Sequence, residues 1–220
     1  SERLLGAIVA THGDDKGLIM PPSVAPFQVV VIPILSKDNS EEIMATASKM
    51  VTNLKSEKIR VKLDDRDIRP GQKYYDWEIK GVPIRIELGP RDLKSNSFMC
   101  ARRTGEKSSY PLDDLLASVK KELDSVSENM KEHAGNHFNQ HVKKMPNITI
   151  DGSNISFEEK LEDKYVYEMA FEGNDAEAEM IEKETGFSFL GESMNSYADE
   201  RKCIVSGKPT TKRIFLAKSY

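Results

Sequence analysis

Several things are scarce in this 220-residue chain, and each scarcity removes a class of protein. It has two cysteines, Cys100 and Cys203, far apart in sequence, which excludes a disulfide scaffold and fits a reduced, cytoplasmic protein. It has four histidines and one tryptophan. No apolar run approaches the length of a membrane-spanning helix, and the signal-peptide pattern is absent, so no membrane partner is expected. It also lacks an excess of positive charge. The formal net charge of −4 argues against holding nucleic acid by bulk attraction, while leaving a local basic face open. What remains is a highly charged (31%) soluble globular protein, long enough for one large or two small domains. Ser1-Glu2-Arg3-Leu4 carries no initiator methionine and runs straight into apolar periodicity, which reads as an excised piece of a longer chain.

Apolar spacing gives the order of elements. Residues 3–10 form a helix-like segment, and the prolines at 21 and 22 turn the chain, with a domain boundary between Met20 and Pro26. Phe27–Leu35 is a nearly continuous apolar run, as in a strand covered on both faces, and Pro33 marks the end of its ladder. Asp38-Asn39-Ser40 caps a helix whose apolar face is Ile43, Ala47, Met50, Val51 and Leu54. Ile59, Val61 and Leu63 alternate as a strand. Pro70-Gly71 opens a helix to about Lys80, and Val82, Ile84, Ile86 and Leu88 alternate again. Phe98–Ala101 is a further strand, joined to the last by a short Gly89-Pro90 connection without a helix and so antiparallel to it. Pro111 is placed in the first turn of a long helix carrying Leu112, Leu116, Val119, Leu123, Val126 and Met130. This order predicts an α/β domain with a mixed, mainly parallel central sheet flanked by helices. Past His141 a smaller, acidic α+β domain is expected. It has a strand near 166–171, a helix over 175–185 stopped by Gly186, and a last strand at 214–216.

The chemistry concentrates between Ile59 and Asp92. Asp64-Asp65-Arg66-Asp67 offers a metal or polar-recognition site, but a surface charge run of this kind reads more readily as a self-paired turn. Tyr74, Trp77 and Glu78 share one helix face, with Trp77 assigned to the core. A ring able to stack on a base, beside a carboxylate able to accept from amino groups, suits single-stranded RNA. Arg85 lies opposite the apolar face of its strand, and its planar fork matches guanine O6 and N7; a solvated arginine explains it as well. His133, His137 and His141 at four-residue spacing read as exposed helix histidines, and Cys203 has Ser206 where a second zinc ligand would stand, so metal is not predicted. His12, Asp14 and Asp15 form an acid–base group with no nucleophile or phosphate loop beside it.

Three stretches carry a resemblance: RLLGAIVATHGDDKGLIMPPSVAPFQVVVIPI, DDRDIRPGQKYYDWEIKGVPIRIELGPRDL and the ending CIVSGKPTTKRIFLAKSY. Together they resemble prolyl-tRNA synthetases of the archaeal and eukaryotic type. GVPIRIELGPRDL is similar to class II anticodon-binding domains in general, while the HGDDKGL loop and the KSY end narrow the likeness to the proline enzymes. The resemblance implies that residues 1–23 end a class II catalytic domain, 24–126 form an anticodon-binding domain and 127–220 an extra C-terminal domain. It implies ATP and magnesium as cofactors of the complete enzyme, proline and proline tRNA as partners, and a homodimer. Zinc is doubtful, because of the family's cysteine pattern only Cys203 is present.

Residue by residue, the resemblance assigns Arg3 to the ATP phosphates and His12 to an active-site loop. It assigns Tyr74, Glu78, Arg85, Asp92 and Lys107 to the two anticodon guanines, and Tyr220 to a terminal carboxylate near the catalytic site. The first two class II motifs are absent, so this chain alone is expected to be inactive in aminoacylation. Two other readings stay open: a free-standing anticodon-like interaction module, and a sibling class II synthetase for threonine, histidine or glycine.

Overall fold

The computed structural model describes residues 2–36, 38–151, 154–195 and 197–219. The chain divides into two compact units, Ser1–Ala134 and Gly135–Tyr220, each described by itself. The division falls inside one long helix.

In the first unit the elements are α1 (Glu2–His12), β1 (Val29–Pro33), α2 (Ser40–Ser56), β2 (Val61–Leu63), α3 (Pro70–Ile79) and β3 (Ile84–Leu88). After them come α4 (Pro90–Lys94), β4 (Ser97–Arg102), β5 (Lys107–Pro111), a 3-10 turn at Leu112–Asp114 and α5 (Leu115–His141). The strands form one sheet in the order β2-β1-β3-β4-β5. β1 pairs parallel with β2 and β3, as the helical crossovers require, and β3-β4 and β4-β5 pair antiparallel. The sheet is therefore mixed.

Three local features depart from the sequence reading. Asn39 stands at the N-cap of α2, but its side chain makes no capping hydrogen bond. The connection after β3 contains the five-residue helix α4. Pro111 does not open the long helix: it ends edge strand β5, and α5 begins at Leu115. A proline is tolerated there because an edge strand leaves every second N–H without a ladder partner.

The period-two alternation of the strands sorts the sheet into two unlike faces. On one face Val29, Val31, Ile84, Ile86, Leu88, Phe98 and Cys100 pack beneath α2 and α5, whose buried stripes include Ile43, Ala47, Leu54, Val119 and Leu123. On the other, Val30 and Ile32 meet Trp77 of α3 and Val82, with Tyr74 partly buried at the margin. That second layer is only one helix wide and lies over β1; the strands beyond carry Arg85, Glu87, Met99, Ala101, Lys107 and Ser109 in cross-strand register.

Asp64 anchors the covering helix. It is 2% exposed, and its Oδ2 accepts from Trp77 Nε1 at 2.7 Å and Arg66 Nη2 at 2.7 Å. Its backbone carbonyl accepts from Lys73 Nζ at 3.0 Å. Burial alone would raise this carboxyl, but the Arg66 and Trp77 hydrogen bonds outweigh it and hold the group at about 2. The acidic run is thus a structural turn with one buried member, not a surface feature throughout.

The second unit contains β6 (Val142–Lys144), β7 (Ile148–Asp151), β8 (Asn154–Phe157), β9 (Val166–Ala170), α6 (Asp175–Thr185), β10 (Ser188–Glu192), β11 (Arg201–Lys202), β12 (Pro209–Thr210) and β13 (Arg213–Ala217). A four-stranded sheet, β10-β13-β9-β6, packs Tyr167, Met169 and Leu216 with Phe171, Ile181 and Phe187. Helix α6 starts on a reciprocal Asn174–Glu177 cap and stops at Gly186, whose φ of 67° suits a residue without a side chain.

Candidate nucleic-acid interface

The half-covered face of the first sheet gathers the residues singled out for RNA. Arg85 on β3 lies under the ring of Tyr74 on α3, its guanidinium carbon 4.1 Å from the ring centroid. Its Nε donates to Glu87 Oε1 at 3.0 Å, while Nη1 stands 3.8 Å from Glu78 Oε1 on α3. Lys107 on β5 reaches the same Glu87, donating to Oε2 at 2.7 Å. Asp92 sits in the first turn of α4, where Oδ2 accepts from Gly89 N at 2.8 Å and so fixes the chain leaving β3. Tyr74, Glu78, Arg85 and Lys107 thus converge from three elements, with Asp92 at the end of β3.

Glu87 was missed by sequence reasoning. It alternates with Ile86 and Leu88 and so reads as a solvated strand residue, yet it is 4% exposed. A signal was present, since residues 85 and 87 have the same parity on a strand and share a face. Burial raises the Glu87 carboxyl, and the hydrogen bonds from Lys107 and Arg85, helped by their charges, overcome that and hold it below its ordinary value. Burial, joined by the negative charge of Glu87, pushes the Tyr74 hydroxyl up to about 12, so it stays protonated as a donor at neutral pH.

Chemically, this surface offers a ring edge, a guanidinium fork, an ammonium and carboxylates within one patch. The Arg85 Nη atoms form no hydrogen bond among the described residues, with only Nη1 in a 3.8 Å ion pair to Glu78, so they offer two coplanar donors for a pair of acceptors such as guanine O6 and N7. Glu78 is half-exposed and can accept from ring N–H and amino groups. One face of Tyr74 is occupied by Arg85, so a base would stack on its other face or extend the stack beyond the guanidinium.

The other candidates lie elsewhere. Arg3 is exposed on α1, a helix with no buried residue. His12 lines a cavity of about 400 Å³ with Asp14, Arg103 and His133. Burial lowers its pKa, and His133 adds to the effect. Asp14 is not a free acid: Arg103 donates to both its oxygens, at 2.9 and 2.5 Å, and these bonds hold it at about 2. Arg103 also donates to the carbonyls of Glu78 and Gly17, tying the 12–18 loop to the end of α3. Tyr220 lies outside the described residues. Among the described residues no group of three or more His, Cys, Asp or Glu could hold a metal ion. Cys203 is buried, with its sulfur accepting from Glu172 N at 3.4 Å, and this lone thiol does not fit a zinc site.

Residues 28–122, which hold this mixed sheet with its half-covered polar face, match the family model described as an anticodon-binding domain. Residues 156–220 match a second model, that of the prolyl-tRNA synthetase C-terminal domain. The chain is 44% identical over 223 residues to a proline–tRNA ligase of Methanocorpusculum labreanum, covering 100% of this chain and 45% of that protein. It is 39% identical over 213 residues to one from Thermococcus kodakarensis, covering 94% and 43%. A proline–tRNA ligase of Methanococcus aeolicus is 51% identical over 135 residues, 61% of this chain and 29% of that protein. The similarity to these ligases runs along nearly the whole chain, which spans less than half of their length.

Proposed function

We propose that this chain is the RNA-reading part of a proline–tRNA ligase, and that the open face of its first sheet reads the two guanines of the proline anticodon. The observation that carries the reading is the convergence of Tyr74, Glu78, Arg85 and Lys107 on the one sheet face that α3 leaves uncovered. Arg85 addresses guanine O6 and N7, Glu78 and Asp92 accept from N1 and N2, Tyr74 stacks, and Lys107 donates to an acceptor or phosphate. Such paired contacts reject a wrong base because its substitution strands a polar group.

The complete ligase joins proline to its tRNA in an ATP-dependent reaction with magnesium, in the cytoplasm and as a homodimer. ATP supplies the activation of the proline carboxylate. Of that chemistry this chain holds little. Residues 1–23 are assigned to the end of the catalytic domain, where Arg3 binds ATP phosphates and His12 belongs to the active-site loop. Tyr220 is assigned to a carboxylate near that site. The exposed side chains of Leu4, Leu5 and Val9 on α1 support placing this helix against further protein. Residues 24–126 and 127–220 are assigned to the anticodon-binding and C-terminal domains. The chain alone is expected not to aminoacylate.

Fluorescence anisotropy with proline tRNA, and with the same tRNA carrying adenines for the anticodon guanines, tests the reading. Arg85→Ala and Glu78→Ala are expected to weaken the first RNA much more than the second. Equal loss for both would sink the base-reading assignment. The sibling-synthetase alternative is disfavoured by the match over residues 156–220.

A further inference from the structure

The buried carboxylate of Glu87 has no route to a base. It is 4% exposed, and each of its oxygens already takes one cation, Arg85 Nε at 3.0 Å and Lys107 Nζ at 2.7 Å. A carboxylate at this depth persists only when both oxygens are satisfied. The sheet register explains how two cations reach it. Arg85 pairs with Ala101, and Ala101 with Lys107, so a single methyl group separates the two long side chains on this face. Both can then lean toward Glu87 across the small residue.

The geometry has a consequence for Arg85. Nε is held by Glu87, one face is covered by Tyr74 and Nη1 stands 3.8 Å from Glu78 Oε1, so the Nη pair is the edge that makes no hydrogen bond among the described residues. That edge is the one suited to paired acceptors on a guanine. From this geometry we propose that Glu87 is the positioning residue of the base-reading surface: it aims the Nη edge of Arg85 and holds Lys107 beside it before RNA arrives. The proposal rests on the base-reading assignment and adds to it the group that sets the specificity of Arg85. Without Glu87, two flexible cations have to be ordered at the moment of binding, which costs about tenfold in affinity for the pair.

The test uses the full chain with Glu87→Gln, which keeps the volume but replaces one acceptor by a donor and removes a negative charge. Anisotropy titrations are run with proline tRNA and with its guanine-to-adenine anticodon variant. The expected result is a roughly tenfold loss for proline tRNA with unchanged or tighter binding of the variant, since the added net positive charge favours any RNA. A purely structural role would weaken both equally, and a purely electrostatic one would strengthen both; either outcome overturns the proposal. Glu87→Asp, which keeps the charge, is expected to restore part of the discrimination.

Arg85→Ala run alongside separates the two claims. If Arg85→Ala abolishes discrimination and Glu87→Gln leaves it intact, the positioning role is wrong and the base reading stands. If Arg85→Ala leaves discrimination intact, the base reading itself fails. Should Glu87→Gln not fold, as judged by Trp77 fluorescence, the unaltered chain still decides. The Arg85 Nε proton, assigned by NMR, is expected to exchange with water far more slowly than that of an exposed arginine. Exchange at the exposed rate would overturn the proposal.

Discussion

Replacing Asp64 by asparagine tests the packing that holds α3, and with it Tyr74 and Glu78, against the sheet. The side chain keeps its volume, so the change isolates charge and hydrogen bonding. In the folded chain the carboxyl titrates at about 2, against 3.8 for an unperturbed aspartate. That difference corresponds to about 2 kcal/mol of stability at neutral pH, at 1.36 kcal/mol per pKa unit. Asparagine adds a further penalty. Arg66 and Trp77 both donate to Asp64 Oδ2, Arg66 Nε donates to Oδ1, and an amide nitrogen at either position opposes a donor with a donor. A loss of about 3 kcal/mol in all follows. Trp77 is the only tryptophan and lies against the altered residue, so its fluorescence in urea reports the first unit alone. With a slope near 2 kcal/mol per molar urea, the midpoint is expected to fall by about 1.5 M.

The pH dependence supplies a sign check. Because the folded value is depressed, this stability is complete above about pH 4 and is lost as pH falls through 2. The gap between the parent and the Asp64→Asn variant should therefore narrow by about 2 kcal/mol between pH 5 and pH 1. Asp14, also held at about 2, titrates in the same window but is common to both chains and cancels in the difference. A variant within about 0.5 kcal/mol of the parent at pH 7, or a gap that does not change with pH, would refute the reasoning.

Gly81→Ala is expected to destabilise the first unit by about 1–3 kcal/mol in the same urea assay, since φ there is 69° and a Cβ would lie 2.7 Å from Leu18. Phe98→Ala, emptying a fully buried position beneath α2 and α5, should cost about 3–5 kcal/mol and broaden no transition in the second unit. Burial pushes the Cys100 thiol up to about 12, whereas at Cys203 the raising effect of burial is outweighed by hydrogen bonds from Ser206 and neighbouring backbone N–H groups. With Ellman's reagent at pH 8, Cys203 should react before Cys100, and Cys100 only as the first unit unfolds. The reverse order would contradict the burial argument.

How much of this could be read from residues alone depended on where each signal came from. Helix α6 was legible because its acidic run and terminating glycine are local, and β1 because a continuous apolar run marks a strand covered on both faces. Strand β5 was not. Its sequence KSSYP is polar because it lies at the sheet edge, and its proline imitates a helix start. The short α4 hid in a five-residue connection that carries no periodicity. Tyr74, Glu78 and Arg85 stand out by their place on a helix face and a strand, with a bland reading beside each, whereas Asp92 and Lys107 are named through resemblance alone. Among the described residues, the structure brings four of them together on one face and sets Asp92 at its end. Glu87 and the buried side of Asp64 escaped notice for a shared reason. A charge that is buried to satisfy other charges looks in sequence like one more solvated residue, and only its tertiary partners show otherwise.

The central claim is that this chain grips the anticodon through the open sheet face, and ribonuclease T1, which cuts RNA after unpaired guanines, tests it most directly. Proline tRNA is digested with and without saturating chain, and again with the Arg85→Ala variant at equal occupancy. The account predicts that the two anticodon guanines are protected by the parent chain and become cleavable with Arg85→Ala. Guanines of the anticodon that stay open to cleavage in the saturated parent complex, with protection appearing elsewhere on the tRNA, would contradict it.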